Sequence, residues 1–155
     1  MKDVYYAELC GHWYLFERPA VKRVIPMAEA PEPTARMGQS WFSLDEGNAE
    51  LCPLRLLFTW AGPDFAEDHY LTLFHHGRLL ALPMRGPGRE GMALLHALQP
   101  LPPAFPALAR RIVPGMLLNG REVIMRLDLD ELARAMDKIA LLRKKKLESR
   151  RKAGV

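Results

Sequence analysis

The stretch Val4-Tyr5-Tyr6-Ala7-Glu8-Leu9-Cys10-Gly11-His12-Trp13-Tyr14-Leu15-Phe16 decides how the fold is read. One alternate set of positions, Tyr5, Ala7, Leu9, Gly11, Trp13 and Leu15, is apolar or small, while the other set is mixed and includes Glu8 and His12. A period of two with aromatic enrichment suits a pleated surface with one buried face, so one long strand is expected, with Gly11 as a bulge.

Working outward, residues 17–37 carry Pro19, Pro26, Pro31 and Pro33 among scattered charges with no sustained period, which reads as a surface connection. Gln39 to Leu44 then reads as a short strand closing on Asp45-Glu46-Gly47-Asn48. From Leu51 to Trp60, Leu54, Leu56, Phe58 and Trp60 alternate with Arg55, Leu57 and Thr59, so an antiparallel partner strand is expected. A loop from Ala61 to Asp68 holds the turn Gly62-Pro63-Asp64, and Tyr70–Phe74 and Leu79–Leu82 flank His75-His76-Gly77-Arg78 as a hairpin.

After Arg85 the pattern changes. Gly86 to Gly91 reads as a loop opening a short helix, Met92 to Leu98, and a second short helix ends near Arg110-Arg111-Ile112. Asn119-Gly120 between Met116–Leu118 and Arg121–Leu127 signals a tight hairpin, because both residues tolerate positive φ. Asp128 can cap a last helix with Glu131 three residues on, and Leu129, Leu132, Met136, Ile139 and Ala140 place an apolar face on it as far as about Leu142. The expected fold is therefore α+β: a mostly antiparallel sheet of five to seven strands, two short helices and a long C-terminal helix.

Composition bounds the function. A chain of 155 residues with 49% apolar and 26% charged residues is the size and make-up of one folding domain. We expect a single domain over 1–142 and a basic helical tail, projecting or frayed, over 143–155. No apolar run reaches the roughly 18 residues of a membrane span, and Asp3 and Glu8 interrupt what would have to be a signal peptide, so a cytoplasmic protein without membrane insertion is expected. Cys10 and Cys52 are too few and too far apart for a zinc ribbon or a CxxC pair and read as buried hydrophobes, with a disulfide between them left open.

The charge is uneven. Arg143, Lys144, Lys145, Lys146, Arg150, Arg151 and Lys152 stand against Glu148 alone, a net +6 in a chain of net +4, which leaves −2 for everything before residue 143. Cations all round a helix suit nucleic-acid phosphates or an acidic protein surface; the alternative is a solvated terminus. The preferred expectation is a non-catalytic binding or accessory protein whose tail meets an anionic partner, nucleic acid first. The second is a protein–protein interaction module, with a homodimer among the options, in which the tail is incidental.

Other constellations carry less. Arg85, Gly86, Gly88, Arg89 and Gly91 spell a GxGxxG loop before a helix, a candidate anion site, but no parallel βαβ unit surrounds it and Pro87 removes one amide donor. With Leu94-Leu95 following, the stretch resembles the pyrophosphate loop of acetyl-CoA-dependent N-acetyltransferases, Arg/Gln-x-x-Gly-x-Gly/Ala before a helix, with an Arg-Glu pair where that pattern has one residue. The resemblance implies acyl transfer and gives a third expectation.

His69, His75 and His76 near Asp64, Glu67 and Asp68 have the right donor atoms for a metal. In a strand at about 3.3 Å per residue His69 and His75 lie about 20 Å apart, and His75 and His76 point to opposite faces, so no metal site is expected. Ser40, Ser43 and Ser149 lack a nucleophile elbow, and Asp45-Glu46 and Asp128-Asp130 suit turn and cap chemistry. Neither a catalytic residue nor a cofactor is expected.

Overall fold

The computed structural model describes residues 1–60 and 66–154, leaving aside the Asn119 side chain; the expected turn Gly62-Pro63-Asp64 lies outside the described residues. The opening stretch is two strands, β1 (Lys2–Leu9) and β2 (His12–Glu17), joined by a two-residue turn in which Cys10 (φ 50°) and Gly11 (φ 82°) are left-handed. This corrects the single long strand. Paired residues such as Tyr5 and Phe16, or Ala7 and Tyr14, are of opposite parity. The apolar face therefore passes from the odd positions of β1 to the even positions of β2. Trp13 and Leu15 turn to the other side with Val4 and Tyr6, where a second apolar cluster receives them. Both faces are apolar, so alternation persists across the turn and hides it.

The expected surface connection is also structured. It contains β3 (Val21–Pro26) and β4 (Thr34–Arg36), and β3 pairs antiparallel with a later strand. β5 (Gln39–Leu44) pairs antiparallel with β6 (Gly47–Leu51) about Asp45-Glu46, so the partner strand takes residues 47–51 and not the expected Leu51–Trp60. Leu54–Leu57 is instead one helical turn, α1, closed by Phe58 N–H donating to the Leu54 carbonyl at 2.7 Å. Leu54 and Leu57 face inward at a spacing of three, which decides against a strand.

β7 (His69–His75) and β8 (Arg78–Ala93) make the expected hairpin about His76-Gly77. β8 does not stop at Arg85. Its first half lies antiparallel to β7 and parallel to β6, and its second half pairs antiparallel with β1. At the crossing, Gly86, Pro87 and Gly88 oppose the single residue Ala7, a bulge that redirects the strand. The expected loop and the helix over Met92–Leu98 are thus corrected to strand, followed by a 3-10 turn at Leu95–Ala97.

α2 (Ala107–Ile112), the hairpin of β9 (Gly115–Asn119) and β10 (Glu122–Arg126), and α3 (Leu129–Ala153) follow. β10 lies parallel to β2. The architecture is α+β, with ten strands among the described residues in one mixed sheet and a long C-terminal helix; the expected five to seven antiparallel strands were too few and lacked the two parallel pairings.

One half of the sheet runs β8-β1-β2-β10-β9, and reciprocal backbone bonds between Gln99 and Met116 tie the chain after β8 to β9 at the far edge. The other half runs β4-β5-β6-β8 with β7 and β3 continuing beyond β8. The largest apolar cluster draws from both halves and from all three helices: Leu9, Tyr14, Leu54, Phe58, Leu80, Met84, Ile112 and Leu132 are among its fully buried members. Each such side chain contributes about 1.5–3 kcal/mol. The buried Tyr14 hydroxyl accepts from Trp60 Nε1 at 3.0 Å, so this aromatic group is satisfied in the core.

Candidate functional site

α3 begins as the sequence indicates. The Asp128 carboxylate accepts from the Glu131 amide at 3.1 Å, and Leu132, Ala133 and Met136 are buried. Its alignment is set by a feature invisible in the one-dimensional pattern. Arg78 at the start of β8 donates to both carboxylate oxygens of Asp137 at 2.9 and 3.3 Å and to Glu50 of β6 at 2.8 Å. Glu50 is only 3% exposed, and its other oxygen accepts from Gln39 at 2.8 Å. Burial works against the Arg78 charge, but the two carboxylates outweigh it and push its pKa above the ordinary arginine value.

Further along, α3 passes the β4–β5 turn. A Cβ on Gly38 would sit 2.8 Å from the Ala140 carbonyl and 2.9 Å from Arg143 Cβ, so the turn can approach only because this residue is glycine. The helix runs without a break through residue 142 to Ala153. Of the predicted contact residues, Lys144 is half-buried, while Arg143, Lys145, Lys146, Arg150, Arg151 and Lys152 are exposed. At 100° per residue they surround the helix, and Leu141, Leu142 and Leu147 lie exposed among them.

The candidate anion residues are not a loop before a helix, which removes the basis of the pyrophosphate-loop resemblance. Gly86 and Gly88 have φ of 68° and 72° within the β8 bulge. The Gly86 amide already donates to the Asp68 carboxylate at 2.7 Å. A hydrogen bond from His69 and then this amide hold the Asp68 carboxyl below its ordinary range. Gly88 and Gly91 let β8 close on β1: added Cβ atoms would lie 2.6 Å from the Tyr5 hydroxyl and from the Tyr6 ring, respectively, and the Tyr5 hydroxyl donates to the Pro87 carbonyl. Arg89 stacks over Tyr6 and Trp13, with centroid distances of 5.5 and 5.0 Å, and reaches Glu122 at 3.4 Å; Arg85 pairs with Glu8 in the ladder.

The histidines depart from expectation. His76 sits in the turn with φ 46°, not in a strand, so His75 and His76 do not point to opposite faces. Their rings meet edge to face at 4.2 Å, and Nε2 of each approaches the same Asp130 oxygen, at 2.7 Å from His75 and 3.3 Å from His76. The His75 hydrogen bond holds the Asp130 carboxyl below the usual carboxylate range. His75 and Asp130 line an open groove of about 510 Å³ that also includes Phe16, Leu98 and Leu127. His69 stays apart, on Asp68 at 2.8 Å. Cys10 and Cys52 are free and buried; burial raises the Cys10 thiol to about 11 and the Cys52 thiol well above its ordinary value.

On the β9–β10 hairpin, the cross-strand partners Leu118 and Val123 are 57% and 45% exposed, beyond the Met116–Met125 pair whose side chains join the core. Sequence reasoning did not single them out, although the alternation Leu118-Met116 and Val123-Met125 carries the core-facing parity past the end of the core. No described helix is long and apolar enough to cross a membrane.

No protein-family model matches this chain, and no curated protein matches it by sequence. In shape it is similar to the scaffolding protein TtCheW from Thermoanaerobacter tengcongensis, with a TM-score of 0.65, 15% identity, and coverage of 84% of this chain and 86% of that one. At that identity the likeness is one of fold, and it spans both halves of the sheet.

Proposed function

We propose that this protein is a non-catalytic protein-interaction module of the scaffold type. The observation that carries the reading is the agreement in fold, over most of both chains, with a protein described as a scaffold. The exposed Leu118–Val123 pair supports it. It lies on the β9–β10 hairpin at one end of the sheet, and exposed apolar side chains side by side on a sheet face are a recurrent means of protein recognition. Affinity capture with the full chain, repeated with Leu118→Glu/Val123→Lys, tests the reading. A partner retained by the full chain and lost by the folded variant supports it; no specific capture by the folded full chain, or capture unchanged in the variant, refutes it.

A second reading has its own observation, the ordered cationic end of α3 with six of its seven basic residues exposed. Arg143, Lys144, Lys145, Lys146, Arg150, Arg151 and Lys152 would meet an acidic protein surface or nucleic-acid phosphates. Anisotropy of labelled DNA and RNA over a salt series, with the full chain and a chain ending at Leu142, decides this. Salt-steep binding lost on truncation supports phosphate contact, whereas no binding at low salt leaves the tail to a protein partner.

A further inference from the structure

We propose that His75, His76 and Asp130 form a zinc site, with two imidazole Nε2 atoms and one carboxylate oxygen as ligands and the fourth position open to solvent. The three donor atoms lie within 4.8 Å of one another. Zinc at about 2.0–2.2 Å from each ligand in a tetrahedron needs donors roughly 3.4 Å apart. The His76–Asp130 separation of 3.3 Å already fits, and the His75–Asp130 separation of 2.7 Å has to open by roughly 0.7 Å to reach that spacing. Such a change is within the reach of a side-chain rotation at a half-exposed carboxylate. Two imidazoles with one carboxylate favour zinc or a neighbouring transition ion over magnesium or calcium, which prefer all-oxygen shells.

The backbone supports the assignment. His76 and Gly77, with φ of 46° and 77°, make a tight turn of the kind that Asn-Gly serves best, so histidine at the first position is not what the turn itself demands. That left-handed conformation brings the His76 imidazole beside His75 and over Asp130. The positive end of α3 opposes a cation there, but Asp128, Asp130 and Glu131 load its first turn with carboxylates, and Asp128 already satisfies the Glu131 amide. Because His75 and Asp130 line the groove beside Phe16 and Leu127, solvent or a partner's donor atom has a route to the open position. Bound zinc would clamp the β7–β8 turn to the start of α3.

The test is calorimetric titration of zinc into the full chain after chelator treatment, with cobalt(II) as a spectroscopic probe, for the unaltered protein, His76→Asn and Asp130→Asn. His76→Asn suits the turn, so circular dichroism should show it folded. One ion per chain is expected, with visible bands of a four-coordinate cobalt centre and a rise in Tm on the order of 5 °C at a hundredfold excess over Kd. Each variant should bind at least about tenfold more weakly and lose the bands. Zinc affinity unchanged in both variants, or no stoichiometric binding by the unaltered chain, overturns the assignment.

Discussion

Replacing Arg78 with methionine keeps most of the side-chain volume and removes a cation that faces Glu50 and Asp137 together. The two losses differ in kind. Asp137 is 57% exposed, so its pair with a one-third-exposed Arg78 contributes only about 0.2–1 kcal/mol. Glu50 is 4% exposed at the side chain, and leaving it charged without its partner is the larger effect. Truncating one member of a buried pair typically costs about 3–5 kcal/mol. Gln39 still donates to one Glu50 oxygen, and solvent reaches Arg78, so the lower part of that range applies. Together these give a loss of about 3 kcal/mol, or a fall of roughly 1–2 M in the urea midpoint for a domain of this size. Glu50→Gln removes the buried charge while an amide oxygen still accepts from Gln39, so Glu50→Gln/Arg78→Met should recover at least about 1 kcal/mol relative to Arg78→Met alone. Urea denaturation of the four proteins followed by circular dichroism measures the cycle. A loss below about 1 kcal/mol in Arg78→Met, or a double variant whose loss equals the sum of the singles, refutes the buried-charge argument.

Gly88→Ala should destabilise by about 2–4 kcal/mol, because a Cβ meets Tyr5 and the Tyr6 carbonyl and φ is positive, whereas Gly86→Ala, with open space around it, should lose only about 1 kcal/mol; thermal melts compare the two. The Cys10 and Cys52 thiols should resist alkylation at neutral pH until the chain unfolds, since burial raises both pKa values, and mass spectrometry after a timed reagent pulse reads the modification. The depressed Asp68 pKa makes its contribution complete at neutral pH and lost as pH falls through the folded-state value below 3.8, so Asp68→Asn should flatten the acid side of the stability profile. Denaturation midpoints measured from pH 6 to pH 2 would show no difference in slope if that contribution is absent.

Much of the local structure was legible because it depends on neighbours in the chain. Asp128 and Glu131 marked the start of α3, and Gly77 and Gly120 marked hairpins through their tolerance of positive φ, although the second turn is Gly120-Arg121 with Asn119 still paired in β9, one residue on from the expected Asn119-Gly120. The pattern failed where both faces of a strand are buried. In β1 and β2 the alternating residues enter two different clusters, so a change of parity at Cys10-Gly11 left no trace, although a glycine at the second position of a two-residue turn was the available signal. At Leu54–Leu57 an apolar run fitted a strand as well as a helical turn, and packing of Leu54 and Leu57 decided it. The stretch 85–91 looked like a loop because its glycines were read for a ligand; they are there so that β8 can bend and press against Tyr5 and Tyr6.

The candidate sites divide in the same way. The basic end of α3 was visible from residue types alone, since seven cations against Glu148 need no partner to be counted. The Arg78–Glu50–Asp137 junction and the His75–His76–Asp130 cluster unite positions up to 87 residues and 55 residues apart, respectively, and no periodicity links such positions. The sequence by itself determined an α+β domain, its tight turns, the capped last helix and the location of its charge, because these follow from backbone preferences and composition within a few residues. The ten-strand mixed sheet, its two parallel pairings, the bend in β8 and the meeting of histidines with Asp130 were decided only by tertiary structure. Which edges pair, and which distant side chains meet, depend on how apolar surfaces from the whole chain are buried at once.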